Sequence, residues 1–291
     1  MRIKRFNRVQ RLFHLFLMLT FLFQSATGLS RMFITTQWGK GLSNLFGGYE
    51  TSLLLHQWVG ILMTAGFVVH CVYLVGKFEW RKWKESIFGP DSLVPNLHDV
   101  RHMWQRALWF FGLGSPPKLD RWAYWEKFDY WGVFWGMPLL AITGLMLKYP
   151  LLTSRILPGW SLNVAALLHR AEAILAIAYI FIVHFFIGHL RPSSFPMNEA
   201  MFSGSVDLEE AMEEKPAWVE RLKREGKIEL VTAKPPTRWY RVLYFVYGYS
   251  ALAFGVYLLI NGIVHSPQIR SASILPDVNR ASAKIMVDRN D

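Results

Sequence analysis

The chain has 291 residues, 52% of them hydrophobic and 15% aromatic, with a net charge of +11 and a pI of about 9.8. A single cysteine, Cys71, excludes a disulfide framework, a four-cysteine zinc site and an iron–sulfur cluster within the chain. The positive charge does not read as a nucleic-acid surface, because the basic residues flank apolar stretches in a topological pattern.

Five stretches are long enough to cross a hydrocarbon core of about 30 Å, which takes about 20 residues. They cover roughly 12–30, 52–76, 130–148, 163–190 and 240–264. The amino terminus, MRIKRFNRVQR, carries five Arg or Lys. The first span follows, with His14 near its start and Thr27-Gly28 near its end. It lacks a signal-peptidase pattern and reads as a retained helix. Only Arg31 and Lys40 are basic before the second span, which contains His56 and His70. The loop 77–129 is again basic and is broken by Gly89-Pro90 and Gly114-Ser115-Pro116-Pro117. Between those turns, residues 99–111 carry apolar side chains at helical spacing and predict an amphipathic helix lying in the membrane interface. His98 and His102 on it read as solvated residues, not a metal site.

The third span ends on Thr143-Gly144, echoing Thr27-Gly28 and hinting at a two-fold internal repeat. Arg155 is the lone basic residue before the fourth span, which holds His169, Glu172 and His184. Residues 191–237 are polar, with short charged helices broken at Pro216. The fifth span has aromatics on most faces and reads as a docking or lipid-facing helix outside the redox core. An excess of Arg and Lys marks cytoplasmic segments. The N-terminus, the 77–129 loop and the 191–237 segment are therefore expected on the cytoplasmic side of the membrane, and the 265–291 tail outside. Tryptophans at the span ends, among them Trp38, Trp80, Trp122 and Trp160, fit interfacial belts.

Histidine is costly inside a bilayer and marks function there. At about 100° per residue, fourteen steps from His56 to His70 fall about 40° short of four turns, and fifteen from His169 to His184 run about 60° past. Each pair thus shares roughly one helix face across about 21–23 Å of rise. That arrangement suits two stacked haems, each held by two imidazoles. There is no CxxCH, so such haems are non-covalent. Two imidazoles leave iron six-coordinate, closed to oxygen and suited to electron transfer. The competing reading is a proton relay, as in a proton-coupled transporter. Only Glu172 lies clearly inside a span to serve it, and Glu172 is equally suited to orienting His169 or pairing with Arg170. Arg8, Arg11 and Arg191 near one face, and Arg31, Lys148 and Arg170 near the other, are candidate propionate partners.

These residues resemble the dihaem cytochrome b subunits of formate dehydrogenase and nickel–iron hydrogenase, over about residues 8–226. The resemblance rests on Arg11-x-x-His14 followed by Thr27-Gly28, on His56 opening the second span, and on His169 and His184 in the fourth. It continues in Met201-Phe202-Ser203-Gly204 and Lys215-Pro216-Ala217-Trp218. It implies an all-α integral membrane protein in which residues 1–190 form a four-helix transmembrane bundle holding two b haems. The segment 191–237, a fifth helix over 238–264 and the tail complete the chain. It further implies His56 with His169 at the outer haem and His14 with His184 at the inner one. The implied function is a membrane anchor, bound by lipid, passing electrons between quinone (menaquinone or ubiquinone) and an extracytoplasmic iron–sulfur or multihaem c-type subunit with its catalytic subunit. The alternative is a stand-alone b-type oxidoreductase reacting directly with a small oxidant.

The chain departs from that pattern in three places. His70 has no counterpart and is an alternative inner ligand, propionate contact or quinone contact. The fourth-span spacing is fifteen where the family has about fourteen, so His184 is expected to be rotated, with His189 as a weaker alternative. At the start of span three, only Lys127 of Tyr124-Trp125-Glu126-Lys127 matches the family's quinone-site residues.

Overall fold

The computed structural model describes residues 1–191, 194–195 and 197–266. A short strand, β1 (Arg2–Lys4), leads into α1 (Arg8–Met32). Asn7 starts that helix: its side chain accepts from the Gln10 N–H at 2.9 Å, and the Gln10 side chain accepts from the Asn7 N–H at 3.0 Å. This reciprocal box satisfies donors that a helix start leaves free. After α2 (Gln37–Leu45), α3 (Tyr49–Lys77) returns across the bundle. Two shorter helices, α4 (Trp83–Phe88) and α5 (Leu97–Phe110), occupy the loop, and α5 is the anticipated amphipathic helix. Then come α6 (Tyr124–Lys148), α7 (Pro150–Ile156) and α8 (Trp160–Ala178). α8 continues through π-helical turns at Tyr179–His184 and Phe186–Leu190. Beyond it lie α9 (Ala200–Ser203), β2 (Ser205–Asp207), α10 (Leu208–Glu214), α11 (Pro216–Arg224), β3 (Thr232–Ala233) and α12 (Arg238–His265).

Among the described residues, five rods are apolar and long enough to cross a membrane: α1, α3, α6, α8 with its π turns, and α12, of 25 to 31 residues. At about 1.5 Å per residue the shortest spans about 37 Å, more than a hydrocarbon core. Their outward side chains, such as Leu12, Leu62, Val72, Trp135, Leu175 and Ile260, are exposed and apolar. Inward they bury small and hydroxyl-bearing residues, including Ser25, Ala26, Thr27, Ser30, Ser52, Thr143 and Ala165. That is the inverse of a soluble bundle, and it suits helices that meet each other through close backbone approach and meet lipid through bulk. α1 packs on α3 and α6 on α8, with α3 and α6 joining the two pairs.

α12 lies along α1 and the π-helical part of α8. Tyr244, Gly248, Ala251, Leu252, Gly255 and Leu258 form its buried face. At Gly255 a Cβ would sit 2.7 Å from the Phe185 ring and 2.9 Å from the Phe181 ring, so only glycine allows this approach. α12 thus docks against the segment that carries His184 and supplies none of the paired histidines. Aromatics on most of its faces concealed the small-residue stripe. The tail beyond residue 266 lies outside the described residues.

One end of the bundle carries a polar cap. β1 is the central strand of an antiparallel sheet ordered β2-β1-β3, with Ile3 opposite both Val206 and Thr232. Ile3, Ala200, Val206, Ala211, Trp218, Val219 and Leu222 form its apolar core. Beneath them, the Glu126 carboxylate accepts from Arg5 at 2.5 Å and from Lys215 at 2.7 Å. Both cations are almost wholly buried, and a buried charge survives only when paired in this way. Burial draws the Lys215 ammonium down to about 8 despite the neighbouring carboxylate. α6 begins at Tyr124, six residues before the expected start, because its polar first turns are held by ion pairs that hydropathy does not register.

Candidate functional site

The Thr-Gly pairs of α1 and α6 each face a histidine on the helix that follows in the pair. A Cβ at Gly28 would lie 3.4 Å from His56 Cε1, and one at Gly144 would lie 3.2 Å from His169 Cε1. Thr27 donates its hydroxyl proton to the Phe23 carbonyl at 2.9 Å, and its oxygen is 3.0 Å from His56 Nδ1. Thr143 donates to Leu139 at 2.6 Å and is 3.0 Å from His169 Nδ1. A hydroxyl has one proton, so each threonine accepts from Nδ1–H. The tautomer follows: Nε2 of both imidazoles carries the free lone pair. The two-fold repeat suggested by the two Thr-Gly pairs therefore has a chemical content, a hydroxyl to orient a ring and a glycine to admit it.

His56 and His169 face each other with ring centroids 6.3 Å apart. His14 and His184, toward the cap, face each other at the same 6.3 Å. Two metal–imidazole bonds of about 2 Å, end to end with two ring radii of about 1.1 Å, span about 6 Å. Each gap is thus the width of one metal ion bound by two imidazole nitrogens. The donor set, two imidazole nitrogens per site, is the one a six-coordinate haem iron uses.

The cap-end pair is built differently. His184 Nδ1 is 3.0 Å from Asp129 Oδ2, and the Tyr179 hydroxyl donates to Asp129 Oδ1. Tyr179 and His184 are five apart, a separation that α-helical winding would turn to different faces. The π winding brings them onto one face, so both can reach the same carboxylate. The same winding absorbs the extra residue in the fifteen-residue spacing from His169, which is how His184 still points at His14. Among the described residues His14 has no hydrogen bond to either ring nitrogen.

His70 stands elsewhere. Its Nε2 is 3.1 Å from the Tyr130 hydroxyl and its ring packs edge-on against Phe13, with Nδ1 buried and unpartnered. His189 lies five residues past His184, their rings 6.4 Å apart. Among the described residues Glu172 makes no hydrogen bond to His169 and no ion pair with Arg170; its carboxylate lies against Gly136, where a Cβ would be 2.9 Å away. Thr143 takes the orienting role that the sequence offered to Glu172, because it sits across the helix pair at the depth of the ring.

The basic residues divide by what already holds them. Arg11 donates to the Phe202 carbonyl and, at 2.9 Å, to Tyr240, while its Nε is buried and unpaired. With His14 and Arg8 it lines a cavity of about 290 Å³. Arg31 stacks on Tyr49 and has a buried, unpaired Nη1. Arg191 is engaged by Glu214 at 2.5 Å and Ser194 at 3.0 Å. Lys148 donates to Gln57 at 2.7 Å. Lys127 is buried against Asp99 at 2.9 Å and ties α5 to α6.

Residues 5–204, more than half of the chain, match the prokaryotic cytochrome b561 family. The chain belongs to that family. The resemblance read from the sequence is thus borne out at the family level. This cytochrome is a multi-pass bacterial membrane protein that binds b-type haem and serves in electron transfer. No curated protein matches it. The family match ends at Gly204, so α10, α11 and α12 lie beyond it.

Asp129, Tyr179, Thr27 and Thr143 were not read from the sequence as site residues. The recurring Thr-Gly was the visible signal for the threonines. Asp129 lay in what read as loop, one residue before the expected start of the third span.

Proposed function

We propose that this cytochrome is a dihaem membrane anchor that exchanges electrons between the quinone pool and an extracytoplasmic redox subunit. His56 with His169 would hold one haem and His14 with His184 the other. The observation that carries this reading is the pair of facing imidazoles, twice repeated at 6.3 Å. Bound haem iron with two imidazoles supplies reversible one-electron transfer with no open coordination position. The protein's part is to hold and orient four imidazoles, to neutralise the propionates and to exclude water. Arg11 and Arg31, each with an unpaired buried nitrogen, are suited to propionates. Arg191 already has a carboxylate partner and is not assigned that role.

The positive-inside pattern supports a cytoplasmic cap, with His14 and His184 near that face and His56 and His169 near the other. Lys127 is committed to Asp99, whereas the half-buried His70–Tyr130 pair offers a donor and an acceptor suited to a quinone head group. The cap, knitted by ion pairs to the start of α6, would keep that end closed to water.

The test is haem stoichiometry with redox spectra on the purified protein. Two b-type haems per chain are expected, resolving into two potentials. One haem would leave only one histidine pair as a site. Co-purification with a second redox subunit separates the anchor from a stand-alone oxidoreductase, which would act on a small oxidant alone.

A further inference from the structure

The two histidine pairs are alike in spacing and unlike in what stands behind them. At the far end, each imidazole gives its Nδ1–H to a threonine oxygen, a neutral acceptor whose own proton is fixed on a backbone carbonyl. At the cap end, His184 meets the carboxylate of Asp129 at 3.0 Å. Hydrogen bonds to an ionised acceptor are roughly twice as strong as neutral ones. A carboxylate behind a ligating imidazole also makes that imidazole a stronger donor to its metal. A stronger donor favours the oxidised, more positive iron. Hydrogen bonding behind the axial ligand is one of the means by which a protein sets a haem's potential.

We infer that Asp129 is a positioning residue that acts through His184 to hold the cap-end haem at a lower reduction potential than the far-end haem. Tyr179 moderates it. Its hydroxyl donates to the second carboxylate oxygen, drawing charge away from the oxygen that faces His184. The π-helical winding over Tyr179–His184 puts both residues where they reach one carboxylate together. This inference rests on the reading of His184 as a haem ligand. It adds a potential difference built into the fold: the gradient runs downhill from the cap-end site to the far-end site, so electrons would leave the cap end for the far end.

The experiment is a potentiometric titration of the full-length, haem-loaded protein in detergent or nanodiscs, with haem content measured in parallel. Asp129→Asn keeps the size of the group and a neutral acceptor. It should retain both haems and raise one potential while the other stays fixed. A tenfold change in that haem's oxidised-to-reduced ratio, about 59 mV for one electron, is the expected scale. Tyr179→Phe should move the same haem the opposite way by a smaller amount. Thr27→Val and Thr143→Val should leave that haem's potential alone. Unchanged potentials in both Asp129→Asn and Tyr179→Phe, with two haems bound, would overturn the inference and leave Asp129 a packing residue. If Asp129→Asn loses a haem, Tyr179→Phe decides by the sign of its shift. His184→Ala keeps the two readings apart. If that variant retains both haems, the ligand assignment itself fails, whatever the Asp129 variants show.

Discussion

The far-end and cap-end histidine pairs solve one problem with different chemistry. At the far end, α1 and α6 each present Thr-Gly to the next helix, and the two halves of the bundle repeat the device almost unchanged. At the cap end the repeat breaks. Among the described residues His14 has no hydrogen-bonded support, and His184 is supported by a carboxylate carried on the first turns of α6 and shared with Tyr179. The difference teaches that imidazole spacing alone defines where a metal can sit, while the groups one bond further out define what it does there. A neutral, symmetric frame fixes geometry. A charged, asymmetric one adds an electrostatic bias to the same geometry.

The largest expected effect comes from removing the imidazoles. His56→Ala or His169→Ala should reduce the haem content from two per chain to one, and so should His14→Ala or His184→Ala. The surviving haem should differ between the two groups in potential. His70→Ala should keep both, because His70 is bonded to Tyr130 and does not face another histidine. Haem-to-protein ratios across the five variants measure this directly, and loss of a haem in His70→Ala with retention in His14→Ala would reverse the assignment.

Next in size are the threonines. Thr27→Val and Thr143→Val preserve shape and remove the acceptor for Nδ1–H. Loss of such a partner typically weakens metal binding by about 10–100-fold. The loss should fall on the far-end haem alone, read as easier extraction of one haem by apomyoglobin while the other is retained.

The five spans were legible before the structure and the contrast between the two histidine pairs was not, for physical reasons. Long apolar runs and the alternation of basic flanks announced the five spans, since a bilayer imposes length and charge bias on any sequence that crosses it. The Thr-Gly repeat was visible, though a threonine's target on another helix is set by packing. The fifteen-residue spacing was legible as a problem, yet its solution, a π turn that brings His184 to Asp129, is encoded in no local pattern. The polar start of α6 was hidden because Glu126, Lys127 and Asp129 are tolerable there only through partners more than twenty residues away in sequence. The same holds for the sheet, whose strands of two or three residues pair across some two hundred positions.

The brace supplied by α12 offers a third way to separate the two ends. Gly255→Leu places a branched side chain where even a Cβ would be 2.7 Å from Phe185. Overpacking of this kind costs about 1–3 kcal/mol. The strain enters beside His184, so thermal release of haem should begin at a lower temperature for the cap-end haem than in the unaltered protein. Equal weakening of both haems would indicate a general loss of stability and would count against α12 as a local brace.

The smallest effect distinguishes the two halves of the far-end site from each other. Gly28 and Gly144 both admit a histidine ring, but the fit differs. A methyl at Gly28 would meet His56 Cε1 at 3.4 Å, an ordinary van der Waals contact, whereas one at Gly144 would meet His169 Cε1 at 3.2 Å, which obliges the ring to shift by tenths of an ångström. The neighbouring Thr143 also holds His169 by a 3.0 Å bond, so the shift must stretch that bond or tilt the ring. Gly144→Ala should therefore broaden and shift the far-end haem's absorbance band, and Gly28→Ala should leave it nearly unchanged. Both variants should leave the cap-end band alone. If Gly28→Ala proves the more disruptive, the two halves are not equivalent frames, and the ring on α3 is the one held more rigidly.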